Sequence, residues 1–335
     1  MKIAHWIDAI DTHTEGEPTR IITGGFGHVP GRTMVEKYLF VKSNLDHIRT
    51  ALMLEPRGYR DMFGCLLVSP TVEHADFGVI FMDNGGYMNM CGHATVGLCT
   101  ALTELGMVKT QEPVTKVMLE SPGGVIDVSV KFNQGRAESV CMRNVPTFVE
   151  YLDADLEVRG VGKLKVDIAY GGNYFVFFSA EEVSLEILPK NIERIIDVGM
   201  LIREAANEQL PVQHPELKHI NSIYVATIVG KPKNPKASYQ NIHLFSTRQF
   251  GRSPGGTGTS AQMAVMHAKG KLRLLEEMWA ESITGGLFKG RLLEKTKVGE
   301  KEAFIPEITG SARIIGFHQF VLDQEDPLKY GFLIQ

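Results

Sequence analysis

The strongest constraint on this fold is a plan that occurs twice. Residues 89–106 read NMCGHATVGLCTALTELG, and residues 252–270 read RSPGGTGTSAQMAVMHAKG. Each copy passes through a Gly-rich turn, then Thr and small apolar residues, and stops at a glycine, Gly106 or Gly270. A terminal glycine suits a helix end, where the chain turns left-handed. Upstream, IDTHTEGEPTRII and VDIAYGGNYFVFF share the order strand, polar or Gly turn, strand, with Asp11 and Asp167 at corresponding places. One supersecondary plan written twice predicts two similar α/β (α+β) units, with a site in the cleft between them. The spacing sets the first repeat at 1–163 and the second at 164–310. C-terminal strands over 311–335 pack on either repeat.

Element by element, HWIDAIDTH, TRIITGGF and EKYLFVKS read as strands, short and rich in β-branched or aromatic residues. NLDHIRTALMLEPRG reads as a helix capped by Asn44, with Ile48, Leu52 and Leu54 on its apolar face and Pro56 at its end. GCLLVSP and FGVIFMDNGG are expected as buried strands. In the second repeat, NIERIIDVGMLIREAANEQL is helical, NSIYVATIV and QNIHLFST are strands, and EEMWAESITGGLFKGRLLEK forms a hairpin.

Composition narrows the partners. The formal net charge is −4 and the sequence pI about 6.3, with Lys and Arg scattered along the chain. Neither nucleic acid nor an anionic membrane is expected, since both select clustered positive charge. The opening MKIAHWIDAIDTHTEGEP lacks a signal peptide's apolar region, and no apolar run is long enough for a bilayer, so a cytoplasmic location is expected. Four cysteines without CxxC spacing predict neither a disulfide scaffold nor structural zinc. His13 and Glu17 lack a third ligand and read as a loop pair, so no metal is expected. His214, His219, His243 and His318 are isolated and read as structural or surface residues.

The two turns carry the chemistry. The first amides of a helix have no intrahelical acceptor, and the macrodipole adds positive charge there. Gly92 and Gly256 would let a small anion, such as an amino-acid carboxylate, approach those amides. The same field lowers the pKa of a thiol placed at the turn, which makes Cys91 the candidate base. His93 is placed to orient that thiol or to bond a substrate nitrogen. Cys65, Cys99 and Cys141 read as small buried hydrophobes. The second turn has Gly255 where the first has Cys91.

Along essentially its whole length the chain resembles the proline racemase family. The resemblance rests on AIDTHTEGEPTR, MLEPRGYRDMFG, FMDNGGYMNMCGHATVG, RSPGGTGTSA and FIPEITGSARIIGFHQFVLDQEDPLKYGF. It implies the diaminopimelate epimerase-like fold, each domain a curved mixed sheet around a central helix. It also implies no cofactor, an imino-acid substrate (proline or hydroxyproline) and a homodimer. Racemases and epimerases of this family place two cysteines on opposite faces of the substrate α-carbon. The first matches Cys91; the second falls on Gly255, where the family motif reads SPCGTG. Phe63 and Phe245 match the apolar walls around the ring. Gly92, His93, Gly256 and Thr257 match the positions that hold the carboxylate, with His93 also near the ring nitrogen. Gly251 stands where the family usually has the Asp that holds the substrate ammonium, and Asp83 is the candidate substitute.

Inversion through two bases needs a group on each face, and Gly255 supplies none. β-Elimination needs only one base. A branch of the family, the trans-3-hydroxy-L-proline dehydratases, keeps the first Cys and loses the second, usually to Thr. The leading expectation is therefore a lyase, with a water in the gap at Gly255 protonating the departing hydroxyl. Other readings remain: a proline racemase or hydroxyproline 2-epimerase using water as its second acid, a silent amino-acid-binding homologue, and a chain in which Gly255 was introduced by substitution.

Overall fold

The computed structural model describes residues 2–245 and 247–334. Two compact units emerge, one ending at Met142 and resuming at Ser311, the other running from Arg143 to Gly310. The first begins with β1 (Ile3–Thr14), β2 (Glu17–Gly24), α1 (Met34–Asn44), α2 (Asp46–Met53), β3 (Phe63–Val68), β4 (Phe77–Asp83) and β5 (Tyr87–Met88). It continues through α3 (Gly92–Glu104), β6 (Val114–Ser121), β7 (Gly124–Asn133) and β8 (Arg136–Arg143). The second contains β9 (Phe148–Val158), β10 (Gly162–Tyr170), β11 (Tyr174–Ser179), α4 (Ile192–Gln209), β12 (Ile223–Gly230) and β13 (Tyr239–Phe245). Then come α5 (Gly256–Ala268), β14 (Met278–Ser282), β15 (Leu287–Val298) and β16 (Lys301–Gly310). A last strand, β17 (Ala312–Asp323), pairs antiparallel with β1 and so belongs to the first unit.

Strand pairing makes the duplication explicit. In the first unit β1/β2 is antiparallel, β2/β3 parallel, β3/β4 antiparallel, β4/β6 parallel and β6/β7 antiparallel. In the second unit β10/β11, β11/β12, β12/β13, β13/β14 and β14/β15 repeat that series in the same order. A parallel pair needs a crossover, and here each crossover contains helix: α1 and α2 match α4, while α3 matches α5. Each unit thus wraps a mixed sheet around one central helix. In α3 every residue but Glu104 is buried, and α5 is buried from Gly256 to Val265. These helices are buried on all faces there, with small, apolar and hydroxyl side chains inward, because sheet surrounds them.

The division falls at Met142/Arg143 rather than at 163/164, because β9 pairs with β10 as a hairpin that the earlier boundary would cut. EKYLFVKS lies in a helix, not a strand. Thr33 caps α1 by accepting from the Glu36 amide at 3.1 Å, and the Glu36 carboxylate accepts from the Arg32 amide at 2.7 Å. This pair of bonds is close to a capping box and outweighs the β-like run Tyr38–Val41. Met34, Lys37 and Val41 then face inward at helical spacing. Asn44 ends α1 instead of capping α2, whose N-cap is Leu45.

Candidate active site

Cys91 is the N-cap of α3, in extended backbone with φ −139° and ψ 110°. Several contacts within the first unit fix this turn. Thr95 donates its amide (3.0 Å) and its hydroxyl (2.8 Å) to the Cys91 carbonyl. The Thr14 hydroxyl, at the end of β1, donates to the His93 carbonyl at 2.8 Å. Gly97 lets the helix lie directly on β1, since a Cβ there would come within 2.4 Å of Thr12 Oγ1.

The Cys91 Sγ lies 3.4 Å from His93 Nδ1 and 3.8 Å from Nε2. The imidazole meets Phe63 edge to face, with ring centroids 4.7 Å apart. The structure therefore gathers Cys91, His93 and Phe63, and all three are buried. Gly92 opens the helix beside them.

The thiol's acidity differs from the sequence expectation. Burial pushes the Cys91 pKa well above the ordinary thiol range. The Ala94 amide at the helix start pulls it down, while the nearby Glu17 and Asp83 carboxyl groups push it further up. The helix start acts in the expected direction, but desolvation wins. At neutral pH the ligand-free thiol is protonated, with the His93 imidazole 3.4 Å away.

The sequence reads Glu17 as a loop residue, yet it is buried at the start of β2 and its carboxyl group acts on the thiol. Its only sequence signal is its place as the first residue of a strand that continues into the β-branched run TRIIT. Asp83 is buried as well, and its Oδ1 accepts the amides of Gly85 and Gly86, each at 2.8 Å.

The second helix start is built differently. Gly255, the N-cap of α5, has ψ 114° but φ +74°, a conformation that side chains rarely adopt. A Cβ on Gly255 would fall 2.3 Å from Cδ2 and Nε2 of His243, and one on Gly258 2.1 Å from its Cε1. The side of Gly255 where a side chain would project is thus filled by an imidazole, and the gap expected to hold a water is not there. His243, read from sequence as isolated, is buried in β13 and touches the turn directly. Burial lowers its pKa to about 4, against a smaller upward pull from the Pro254 carbonyl.

Gly256 and Thr257 open α5 and are buried. Gly251 donates its amide to the His243 carbonyl at 2.8 Å. Phe245 is half-buried at the end of β13, its ring 6.2 Å from that of Tyr224. Among the described residues no group of three or more His, Cys, Asp or Glu could hold a metal ion, and no helix is long and apolar enough to cross a membrane. Cys65 and Cys99 are fully buried, and Cys141 is partly exposed.

Twin mixed sheets, each enclosing a helix that begins at a Gly-rich turn, define a duplicated α/β architecture with a cysteine and a histidine at one helix start. The family model for proline racemase matches residues 9–333. The proline racemase of Clostridioides difficile is 47% identical over 335 residues, covering 100% of both chains. The trans-3-hydroxy-L-proline dehydratase of Azospirillum brasilense is 41% identical over 335 residues, again covering 100% of both. A crystal structure of a hydroxyproline epimerase from Agrobacterium vitis, with bound trans-4-hydroxy-L-proline, superposes with a TM-score of 0.94 at 31% identity. That match covers 100% of this chain and 96% of the other. The chain belongs to the proline racemase family.

Proposed function

We propose that this enzyme is a lyase that dehydrates trans-3-hydroxy-L-proline, using Cys91 as its base. One observation carries the reading: Cys91 provides a thiol at one helix start, while Gly255 provides no side chain at the other. In trans-3-hydroxyproline the hydroxyl is trans to the carboxylate and therefore cis to the α-hydrogen. Base and leaving group share a face, so one thiol with its neighbouring imidazole suffices.

In this scheme His93 takes the thiol proton, and the Cys91 thiolate removes the α-proton. The electron pair left on the α-carbon forms the double bond to C3, and the C3–O bond breaks. The proton on His93 goes to the departing hydroxyl, which leaves as water. The ring is left as a pyrroline carboxylate. Amides of Gly92 and His93 steady the carboxylate as charge develops at the α-carbon. Gly256 and Thr257 keep the carboxylate-holding role, and Phe245 with Phe63 the ring-wall role, that the family resemblance gives them. With glycine at 251, Glu17 and Asp83 are the carboxyl groups nearest in effect to the reacting thiol and serve the ring nitrogen.

A second reading has its own support: the chain is 47% identical to a proline racemase over its full length. On that reading water supplies the second proton, and proline or hydroxyproline is inverted. Proton NMR in D2O with trans-3-hydroxy-L-proline, L-proline and trans-4-hydroxy-L-proline separates the two. Consumption of the 3-hydroxy compound to a pyrroline product supports the lyase. Deuterium at the α-carbon with inversion, and no loss of the 3-hydroxy compound, sinks it in favour of the isomerase. Silence in every tube leaves a binding protein.

A further inference from the structure

The two turns share ψ (110° at Cys91, 114° at Gly255) but differ in φ, which is −139° at Cys91 and +74° at Gly255. Something in the second unit holds Gly255 on the side of the map closed to most side chains. The contacts identify it. A carbonyl can only accept, so the 2.8 Å contact between His243 Nε2 and the Pro254 carbonyl places the proton on Nε2. Nδ1 then accepts from the Thr227 hydroxyl at 2.8 Å. The same Pro254 carbonyl also receives Asn241 Nδ2 at 3.0 Å and the Thr259 hydroxyl at 3.2 Å. Three donors fix the orientation of the peptide that joins Pro254 to Gly255. The ring meanwhile lies against both Gly255 and Gly258 and is braced by Phe175 at 5.6 Å.

We infer that His243 is the residue that keeps the second turn in its glycine-only form and so confines proton transfer to the Cys91 face. It is a positioning residue: it acts through the Pro254–Gly255 peptide and by filling the volume that a side chain at 255 requires. Regaining the second face then takes two changes, a smaller residue at 243 and a thiol at 255. The catalytic half of this inference rests on the one-thiol reading above, whereas its structural half does not.

The test compares Gly255→Cys, His243→Val and the double variant by urea unfolding and by deuterium exchange at the α-carbon of D-proline, which presents its α-hydrogen to the face opposite Cys91. Gly255→Cys alone should unfold at lower urea than the parent and exchange D-proline no faster. The double variant should be more stable than the two single losses sum to, and should exchange D-proline at least about tenfold faster than Gly255→Cys. Gly255→Ala, with and without His243→Val, reads the same coupling without a thiol.

Additive losses in both pairs overturn the inference. So does equal D-proline exchange in Gly255→Cys and the double variant, or no exchange in a folded double variant. A failed lyase assay beside intact coupling would sink only the proposed reaction. Turnover of 3-hydroxyproline with no coupling would sink only the role of His243.

Discussion

Cys91 Sγ and His93 Nδ1 lie 3.4 Å apart on the first turn of one buried helix, with Phe63 against the imidazole. The thiol is held protonated by burial, and a base stands beside it. Cys91→Ser should reduce α-proton exchange by about a thousandfold or more, within the range expected for removing a positioned base. His93→Gln should cost on the order of a hundredfold while Cys91 stays in place. NMR exchange rates in D2O check both. Undiminished exchange in Cys91→Ser excludes the thiol as the base.

The upward shift has a direct chemical readout. An ordinary thiol is substantially ionised by about pH 8.5, but Cys91 should remain protonated there. Its alkylation by iodoacetamide in the ligand-free enzyme should be slower than that of a cysteine in an unfolded peptide at pH 8. Mass spectrometry of the labelled peptide gives the rate. Alkylation faster than the reference peptide would show that the helix field, rather than burial, governs this thiol.

The repeated helices, their Gly ends and the Cys91 turn were legible in sequence because each is a local pattern. α1 reads as a strand because Tyr38, Leu39, Phe40 and Val41 form a β-like run, while its true signal is the Thr33–Glu36 capping pair. The contact of His243 with Gly255 depends on how β13 returns to the α5 turn, which no spacing rule encodes. The direction of the thiol shift was missed for the same reason. A helix field is written in a few adjacent residues, whereas desolvation depends on every element packed around the site.

His243 also gives the fold a pH response. Its pKa is about 4 in the folded chain, below the ordinary histidine value of about 6.5. Above pH 6.5 both states are neutral and the group contributes no penalty. Between about 6.5 and 4 the unfolded chain binds the proton first, so stability falls with pH by up to about 3 kcal/mol from this residue. Urea unfolding at pH 7.5 and pH 4.5 should show a smaller acid loss in His243→Gln than in the parent. Equal losses would mean that His243 is not held neutral by burial.

Gly97 tests how tightly α3 lies on β1. Replacing a mid-helix Gly by Ala ordinarily stabilises by about 1 kcal/mol. Here the new methyl would meet Thr12 Oγ1 at 2.4 Å, and overpacking of that kind costs about 1–3 kcal/mol. The steric term should win, so Gly97→Ala lowers the urea midpoint. Adding Thr12→Ala removes the obstructing hydroxyl and should recover most of the loss. Failure of that rescue would place the cost elsewhere.

The strand beneath that helix is held by a buried ion pair. Arg20 contacts Asp11 through two bonds, Nε to Oδ1 at 3.0 Å and Nη2 to Oδ2 at 2.8 Å. Its Nη1 also donates to the carbonyls of Leu52 at 2.8 Å and Arg57 at 2.6 Å, so the guanidinium ties β2 to the last turn of α2 and to the loop after it. Only 7% of the Arg20 side chain and 12% of that of Asp11 are exposed. Asp11→Ala strands a buried cation and should cost about 3 kcal/mol, at the low end for such pairs because the two carbonyls remain. Replacing both residues with apolar side chains of similar size, Asp11→Leu with Arg20→Met, should recover much of that loss, since the desolvation cost goes with the charges. The pair also bears on the candidate active site, because β1 runs on from Asp11 to Thr12 and Thr14, which contact α3. Asp11→Ala should therefore slow α-proton exchange at urea concentrations where the protein is still folded. Exchange unchanged from the parent would confine the pair to a structural role.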